Sequence, residues 1–345
     1  MRIGNIELKH GVMLAPMAGY TDRAMRLLCH KFGAEYSVTE MVSAKAVVYN
    51  DKKTFSLAKI LSDEGQVAVQ IFGSEPDIMA EAARVLSEPC RPEDAFRAGV
   101  PQGISKGSLK LVSPCAIDIN MGCPVKKIFS NGEGSALMRD PKKIEKITAA
   151  VKGATSLPVT VKIRAGINES SINATDCAKA AEAGGASAIC IHGRTTAQMY
   201  GGSADRKIIE KVKNCLQIPL IANGDIVDGA SALSMLSDTG ADGIAIGRGA
   251  VGNPFIFREI LSLMRGEEYI LPTLKERADA ALYQLAVACE DKGESAAIPE
   301  ARKQIAQYLR AFHGAAKIRA KINMATTQSE IKEAFYELLS ENADL

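Results

Sequence analysis

A rhythm in the chain limits its fold more than any other feature. Eight short β-prone runs recur in order, each followed by a turn and a helix-length stretch. They are "VMLA" (12–15), "YSVTE" (36–40), "VAVQIF" (67–72), "AIDIN" (116–120), "VTVKI" (159–163), "SAICIH" (187–192), "PLIAN" (219–223) and "GIAIG" (243–247). Most are near-continuous apolar segments, as strands covered on both faces must be. Between them lie segments such as 22–33, 140–153 and 228–240. Asp140 followed by Pro141 predicts an N-cap with proline at the first helical position. Gly33, Gly184 and Gly240 stand where helices should stop. Strands alternating with helices specify a parallel sheet, and eight of them can close into a (β/α)8 TIM barrel of about 250 residues. Residues 1–265 fit that size. An open doubly wound sheet would want a G-x-G-x-x-G turn after the first strand. The chain has "PMAGYTD" there.

From residue 266 to 345 the strand signal stops. Segments such as "LKERADAALYQLAVACEDKG" carry apolar residues at helical spacing, which predicts a small all-helical C-terminal domain. The net charge is only +2, yet residues 301–325 hold six Lys or Arg and no Asp or Glu, leaving the remainder at −4. Arg302, Lys303, Arg310 and Lys317 belong to this basic region. Lys303, Arg310 and Lys317 are seven apart and would share one face of a continuous helix, which Gly314 could interrupt. Beside Tyr308 and Phe312, such a stripe suits a phosphate backbone, although it also suits a solvated surface helix.

Composition narrows the classes further. With 47% apolar and 24% charged residues, disordered and fibrous readings fail. The first residues contain no apolar signal core, and no window is long enough to cross a bilayer. Eight cysteines without a C-x-x-C pair argue against zinc and iron–sulfur sites. The expectation is a cytoplasmic monomer with reduced thiols, no metal and no membrane.

The polar residues gather at strand ends. Pro16 and Met17 follow the first strand, Glu40 ends the second, and Gln70 lies late in the third. Asn120 ends the fourth, with Cys123 just beyond. Lys162 lies late in the fifth, and His192 ends the sixth. Asn223, Gly224 and Asp225 follow the seventh, and Gly247 and Arg248 follow the eighth. In a barrel all project to the C-terminal mouth, where such enzymes keep their active sites. The turns "NGDI" and "IGRGAVGNP" form a phosphate corner in which Gly224, Gly247 and Gly249 admit the backbone and Arg248 can pair with the anion. Sugar phosphates and flavins both use such corners. Lys162 in an apolar strand calls for an anionic partner, and a reduced flavin is one.

Together "LAPMAGYTD", "QIFG", "DINMGCPVKK", "GSALMRDP", "VKIRAG", "IHGRT", "NGDI" and "IGRGAVGNP" resemble the tRNA-dihydrouridine synthase family, most closely its bacterial B-type branch. The resemblance runs from about residue 3 to 335. It implies FMN contacts at Pro16, Met17, Ala18, Gln70, Lys162, His192, Asn223, Gly224, Asp225, Gly247 and Arg248. It also implies NADPH as reductant, with hydride passing from FMN to C6 of a uridine in tRNA and a proton from catalytic Cys123 to C5. A helical C-terminal domain that binds tRNA is implied too. Asn120 is placed to hydrogen-bond either the base or the flavin, and Lys126 and Lys127 to hold flanking backbone. Residues 88–113 read as extra relative to the family. They join the third helix to the fourth strand at the bottom of the barrel, with a short extended piece at "SLKLV" and no catalytic role. A flavin barrel acting on a free pyrimidine would share the mouth but leave the basic tail unexplained. An RNA-binding protein without catalysis would leave Lys162, Cys123 and the phosphate corner unexplained.

Overall fold

The computed structural model describes residues 1–91, 109–309 and 314–342. Eight parallel strands close on themselves: β1 (Val12–Leu14), β2 (Tyr36–Val38), β3 (Val67–Phe72), β4 (Ala116–Asn120), β5 (Val159–Arg164), β6 (Ala188–His192), β7 (Leu220–Asn223) and β8 (Gly243–Ile246). β8 pairs with β1 through Ile244 and Val12, and β2 pairs with both β1 and β3, which seals the ring. Helices α1 (Arg23–Lys31), α2 (Lys52–Ala58), α3 (Pro76–Leu86), α4 (Pro141–Ala154), α5 (Ala174–Ala183), α6 (Arg206–Lys213), α7 (Gly229–Thr239) and α8 (Ile256–Met264) follow the strands in turn. The cap at Asp140 forms as expected, its side chain accepting from Lys143 N at 3.2 Å.

Strand alternation divides the apolar residues into two cores. Val12, Leu14, Val69, Ile71, Ile117, Ile119, Val161 and Ile163 pack with the helices. Met13, Ala15, Tyr36, Ala68, Ala116, Ala188, Cys190, Ile221 and Ala245 form a separate cluster inside the barrel. An N-terminal hairpin, Arg2–Ile3 with Ile6–Glu7, adds Ile3, Ile6 and Leu8 to the inner cluster. Each such fully buried side chain is worth about 1.5–3 kcal/mol. The same alternation aligns Gln70 with Asp118, Asn120 with Lys162 and Asn223 with His192 on adjacent strands.

One strand departs from the expectation. The run 36–40 stops at Val38 and resumes as Val42–Ser43, which pairs with Ile71–Phe72. At the break Thr39 Oγ1 accepts the Gln70 N–H at 3.1 Å, so a side chain takes the ladder's place.

Four helices complete the chain: α9 (Leu274–Lys292), α10 (Glu294–Ile305), α11 (Ala315–Met324) and α12 (Gln328–Glu341). The helix through 301–321 is not continuous. α10 passes into a tight 3-10 turn, Ala306–Leu309, and α11 begins after Gly314 at φ +75°. Lys303 and Lys317 therefore lie on separate helices and do not share one helix face. These helices share an apolar core with Leu28 and Phe255 of the barrel region. Lys59 meets Asp291 at 2.6 Å, with both side chains buried. Lys292 bonds Asp22 at 2.6 Å, while the other Asp22 oxygen caps α1 at Met25 N, 3.1 Å away.

Residues 92–108 of the expected insertion lie outside the described residues, as do Arg310 and Phe312. The described flank is extended at Leu111, which bridges Leu61, and Cys115 N donates to Val67 O at 2.9 Å. Val67 starts β3, so this flank sits at the N-terminal end of the barrel, opposite the mouth.

Candidate functional site

A cleft of about 970 Å³ opens at the C-terminal ends of the strands. Pro16, Met17 and Ala18 line it after β1, Gln70 from β3 and Lys162 from β5. His192 at the end of β6, Asn223, Gly224 and Asp225 at the end of β7, and Gly247 and Arg248 after β8 complete that set. Asn120 and Cys123 join the same wall, and Lys303 reaches the cleft from α10. The volume is at the upper end of ordinary ligand pockets.

The wall from β6 to β8 is cationic. Arg248 is over half exposed and lies 4.9 Å above the Tyr200 ring. Arg194 is buried and ties the wall together. It meets Asp225 at 2.7 Å, donates to the carbonyls of Gly201 and Gly202, and lies 3.3 Å from His192 Nε2. Burial, with the surrounding cations, holds the His192 imidazole well below its usual pKa, so it is neutral. Burial opposes charge on Asp225, but its bond from Arg194 and that from Ala204 N keep its pKa below the ordinary value. Asp225 thus lines the cleft with its carboxylate already engaged. Gly224 has φ +129°, and a Cβ there would fall 2.7 Å from Ala204 Cβ and 2.9 Å from His192 Cδ2. A side chain would close the corner.

The wall from β3 to β5 is built of amides around a thiol. Gln70 Nε2 donates to Asp118 at 2.6 Å, and Asn120 Nδ2 donates to Gln70 Oε1 at 2.8 Å. Asn120 Oδ1 accepts from Gly122 N at 3.1 Å and Cys123 N at 2.9 Å. Ser135 Oγ donates to Cys123 O at 2.9 Å. Arg164, also buried, donates to Gly122 O at 2.8 Å and fastens the same turn from the other side. Burial raises the Cys123 thiol pKa, while Arg164 and Lys162 pull it back only in part. The thiol is protonated at neutral pH.

Lys162 stands between the two walls. Its ammonium donates to Asn223 Oδ1 at 3.0 Å, and Asn223 Nδ2 donates to Ala245 O at 2.7 Å. Burial lowers its pKa. Among the described residues no carboxylate lies within ion-pair range of it, so a half-buried cation faces the cleft with a neutral amide for a partner.

The other basic candidates separate. Lys126 and Lys127 are exposed on the short helix Lys126–Ser130, directly after the cleft residue Val125. Lys303 lies 4.3 Å above the Tyr20 ring at the cleft edge. Arg302 turns toward the carbonyl of Ala325 within the helical region. Lys317 is paired with Glu337 at 2.7 Å and Glu341 at 3.0 Å. Arg164, Arg194, Tyr200 and Arg277 also belong to the cleft or brace it, and the sequence reading assigned none of them. Arg164 and Arg194 sit inside "VKIRAG" and "IHGRT", so adjacency to a strand-end candidate was the available signal. Arg277 carried no such signal, because it arrives from a distant helix.

Fold and site together define a (β/α)8 barrel whose mouth combines a protonated thiol, a half-buried lysine and a glycine-rich corner with an arginine. The chain matches the dihydrouridine synthase (Dus) family over residues 13–92 and 110–343. It is 38% identical to a probable tRNA-dihydrouridine synthase of Rickettsia conorii, over 98% of this chain and 96% of that one. It is also 38% identical to the tRNA-dihydrouridine synthase B of Pseudomonas putida, over 96% of this chain and 92% of that one. Among solved structures, the old yellow enzyme homologue from Zymomonas mobilis aligns with a TM-score of 0.49 at 12% identity, covering 80% of this chain and 94% of that one. The chain belongs to the dihydrouridine synthase family. The break in the match between residues 92 and 110 falls within the 88–113 segment.

Proposed function

We propose that this protein reduces uridines of tRNA to 5,6-dihydrouridine, with FMN as bound cofactor and NADPH as reductant. The residues present fit FMN. Lys162 is a half-buried cation without a carboxylate partner among the described residues, and the corner at Gly224, Gly247 and Arg248 has room and charge for a phosphate. Pro16, Met17, Ala18, Gln70, Lys162, His192, Asn223 and Asp225 would complete the binding set. When bound and reduced by NADPH, FMN would supply the hydride that adds to C6 of the uracil ring.

The chain's own part is the proton. As C6 gains hydride, the electrons of the C5–C6 double bond take the Cys123 S–H proton at C5, leaving a thiolate that solvent reprotonates. A thiol whose pKa is raised by burial keeps that proton at neutral pH. The target nucleotide must leave its stack to enter the cleft. Lys126, Lys127 and Lys303, exposed near the mouth, and the helical region with Arg302, Arg310 and Lys317 are the proposed RNA contacts. The observation that carries this reading is the convergence of Cys123, Lys162 and the Arg248 corner on one cleft.

The test is dihydrouridine formation by the FMN-loaded protein and NADPH, with tRNA from cells lacking it as substrate. Dihydrouridine at defined tRNA positions is the expected result. Turnover of free uracil or dihydroorotate with tRNA left unmodified would overturn the reading and favour a free-pyrimidine enzyme.

A further inference from the structure

The hydrogen bonds beneath the cysteine turn form a chain with a direction. At one end stands Asp118, 3% exposed, on the row Gln70–Asp118–Thr160 across β3, β4 and β5. At the other end are the backbone N–H groups of Gly122 and Cys123. Two amides link these ends, and an amide can be turned either way. The ends remove the choice. An ionised carboxylate only accepts, so Gln70 must present its NH₂ to Asp118 and its oxygen to Asn120. Asn120 must then present its NH₂ to Gln70 and its oxygen to the turn. Backbone N–H groups only donate, so the far end requires the same orientation. Thr160 Oγ1 donates to the second Asp118 oxygen and fixes the carboxylate itself.

We propose that Asp118 is a positioning residue for Cys123: as an acceptor buried in the barrel, it sets the polarity of the Gln70–Asn120 relay that holds the cysteine turn. This rests on the reading of Cys123 as proton donor, but the placement of the turn can be measured without turnover. Were Gln70 released from Asp118, its amide could invert and present NH₂ to the NH₂ of Asn120. Asn120 would then invert in turn, and the Gly122 and Cys123 N–H groups would face donors. Leaving buried donors unmatched is costly, so the turn would move instead. Burial raises the Asp118 pKa to about 6, so the relay is locked by the ionised form at neutral pH.

The experiment compares Asp118→Ala and Asp118→Asn with wild type in the FMN-loaded protein. The first readout is the iodoacetamide alkylation rate at Cys123, followed by peptide mass mapping. The second is single-turnover dihydrouridine formation after pre-reduction. Asp118→Ala is expected to raise Cys123 alkylation and to lower the single-turnover rate, each at least tenfold on the order expected for a lost buried acceptor. Bound FMN and its reduction by NADPH should stay within about threefold of wild type. Asp118→Asn keeps an acceptor for Gln70, and Thr160 can accept from its new NH₂, so it should rescue both readouts to within about threefold. A folded Asp118→Ala protein with wild-type alkylation would overturn the proposal, and so would an Asp118→Asn protein as damaged as Asp118→Ala. Should Asp118→Ala fail to fold, Thr160→Val decides. It frees the same carboxylate and should raise alkylation about threefold; no change rejects the relay. A wild type inactive on tRNA but sensitive to Asp118 in the alkylation assay would reject the functional reading while keeping the relay.

Discussion

The two walls of the mouth are made from different chemistry. From β6 to β8 the wall carries two arginines, Arg248 at the cleft and buried Arg194 behind it, with the Asp225 carboxylate between them and a neutral His192 beside Arg194. From β3 to β5 it is lined by neutral donors and acceptors converging on a thiol. A cationic wall holds an anion over a broad range of positions, because charge attraction falls off slowly with distance. An amide wall holds a turn in one geometry, because hydrogen bonds fail when misaligned. In the proposed reaction, the first would retain a cofactor phosphate and the second would deliver a proton to one carbon.

The sharpest way to break that division is Cys123→Ala. Uridine reduction should slow by roughly 10²–10⁴-fold, while flavin content and its reduction by NADPH remain. Single-turnover kinetics separates these, and comparable losses in both would mean that the walls do not act separately. In the wild type, the uridine step should hold from neutral pH upward and fall at alkaline pH above the ordinary cysteine range, because burial raises the thiol pKa. Arg248→Ala attacks the other wall. It should weaken FMN binding by roughly 10–100-fold, as for loss of a charge-assisted hydrogen bond. At saturating FMN it should leave the uridine step nearly intact, and fluorescence titration with single turnover checks both.

Asp118 adds a pH signature to the amide wall. Its folded pKa is raised to about 6 from an ordinary 3.8, so the folded chain holds this proton more tightly than the unfolded chain. Its contribution to stability is therefore full below the unfolded value and is lost as pH rises through about 6. Asp118→Asn should remove that loss. Relative to wild type, it should gain about 1–3 kcal/mol of unfolding free energy between about pH 4 and 7. Urea melts at the two pH values measure it, and parallel pH profiles would deny a buried carboxylate. The smallest effect is expected at the rim. Lys303→Glu should weaken tRNA binding by up to about tenfold and flatten its salt dependence by about one counterion, leaving FMN affinity unchanged. An unchanged salt slope would remove Lys303 from the RNA surface.

The barrel was legible because each strand must satisfy two apolar faces, which leaves an unbroken run of β-prone residues. Strand ends were legible for the same reason: Gln70, Lys162, His192 and Asn223 interrupt those runs where the mouth must be. The break in the second strand was not, because Thr39 replaces a ladder bond through its side chain, which no periodicity records. Nor was the division of the basic tail. Lys303, Arg310 and Lys317 are evenly spaced in sequence, but the 3-10 turn and Gly314 separate the helices that carry the first and last of them. Arg194 and Arg277 show the remaining gap: one braces the wall through carbonyl contacts, and the other reaches the cleft from a helix distant in sequence.

The ion pair between Asp22 and Lys292 has a consequence for how separable the parts are. Asp22 starts the first barrel helix at the end of the turn that carries Met17 and Ala18 into the cleft. A barrel cut after residue 265 would take Lys292 from Asp22 and Asp291 from Lys59, and would bare Leu28 and Phe255 to water. The barrel therefore lacks autonomy: it borrows part of its foundation from the C-terminal helices.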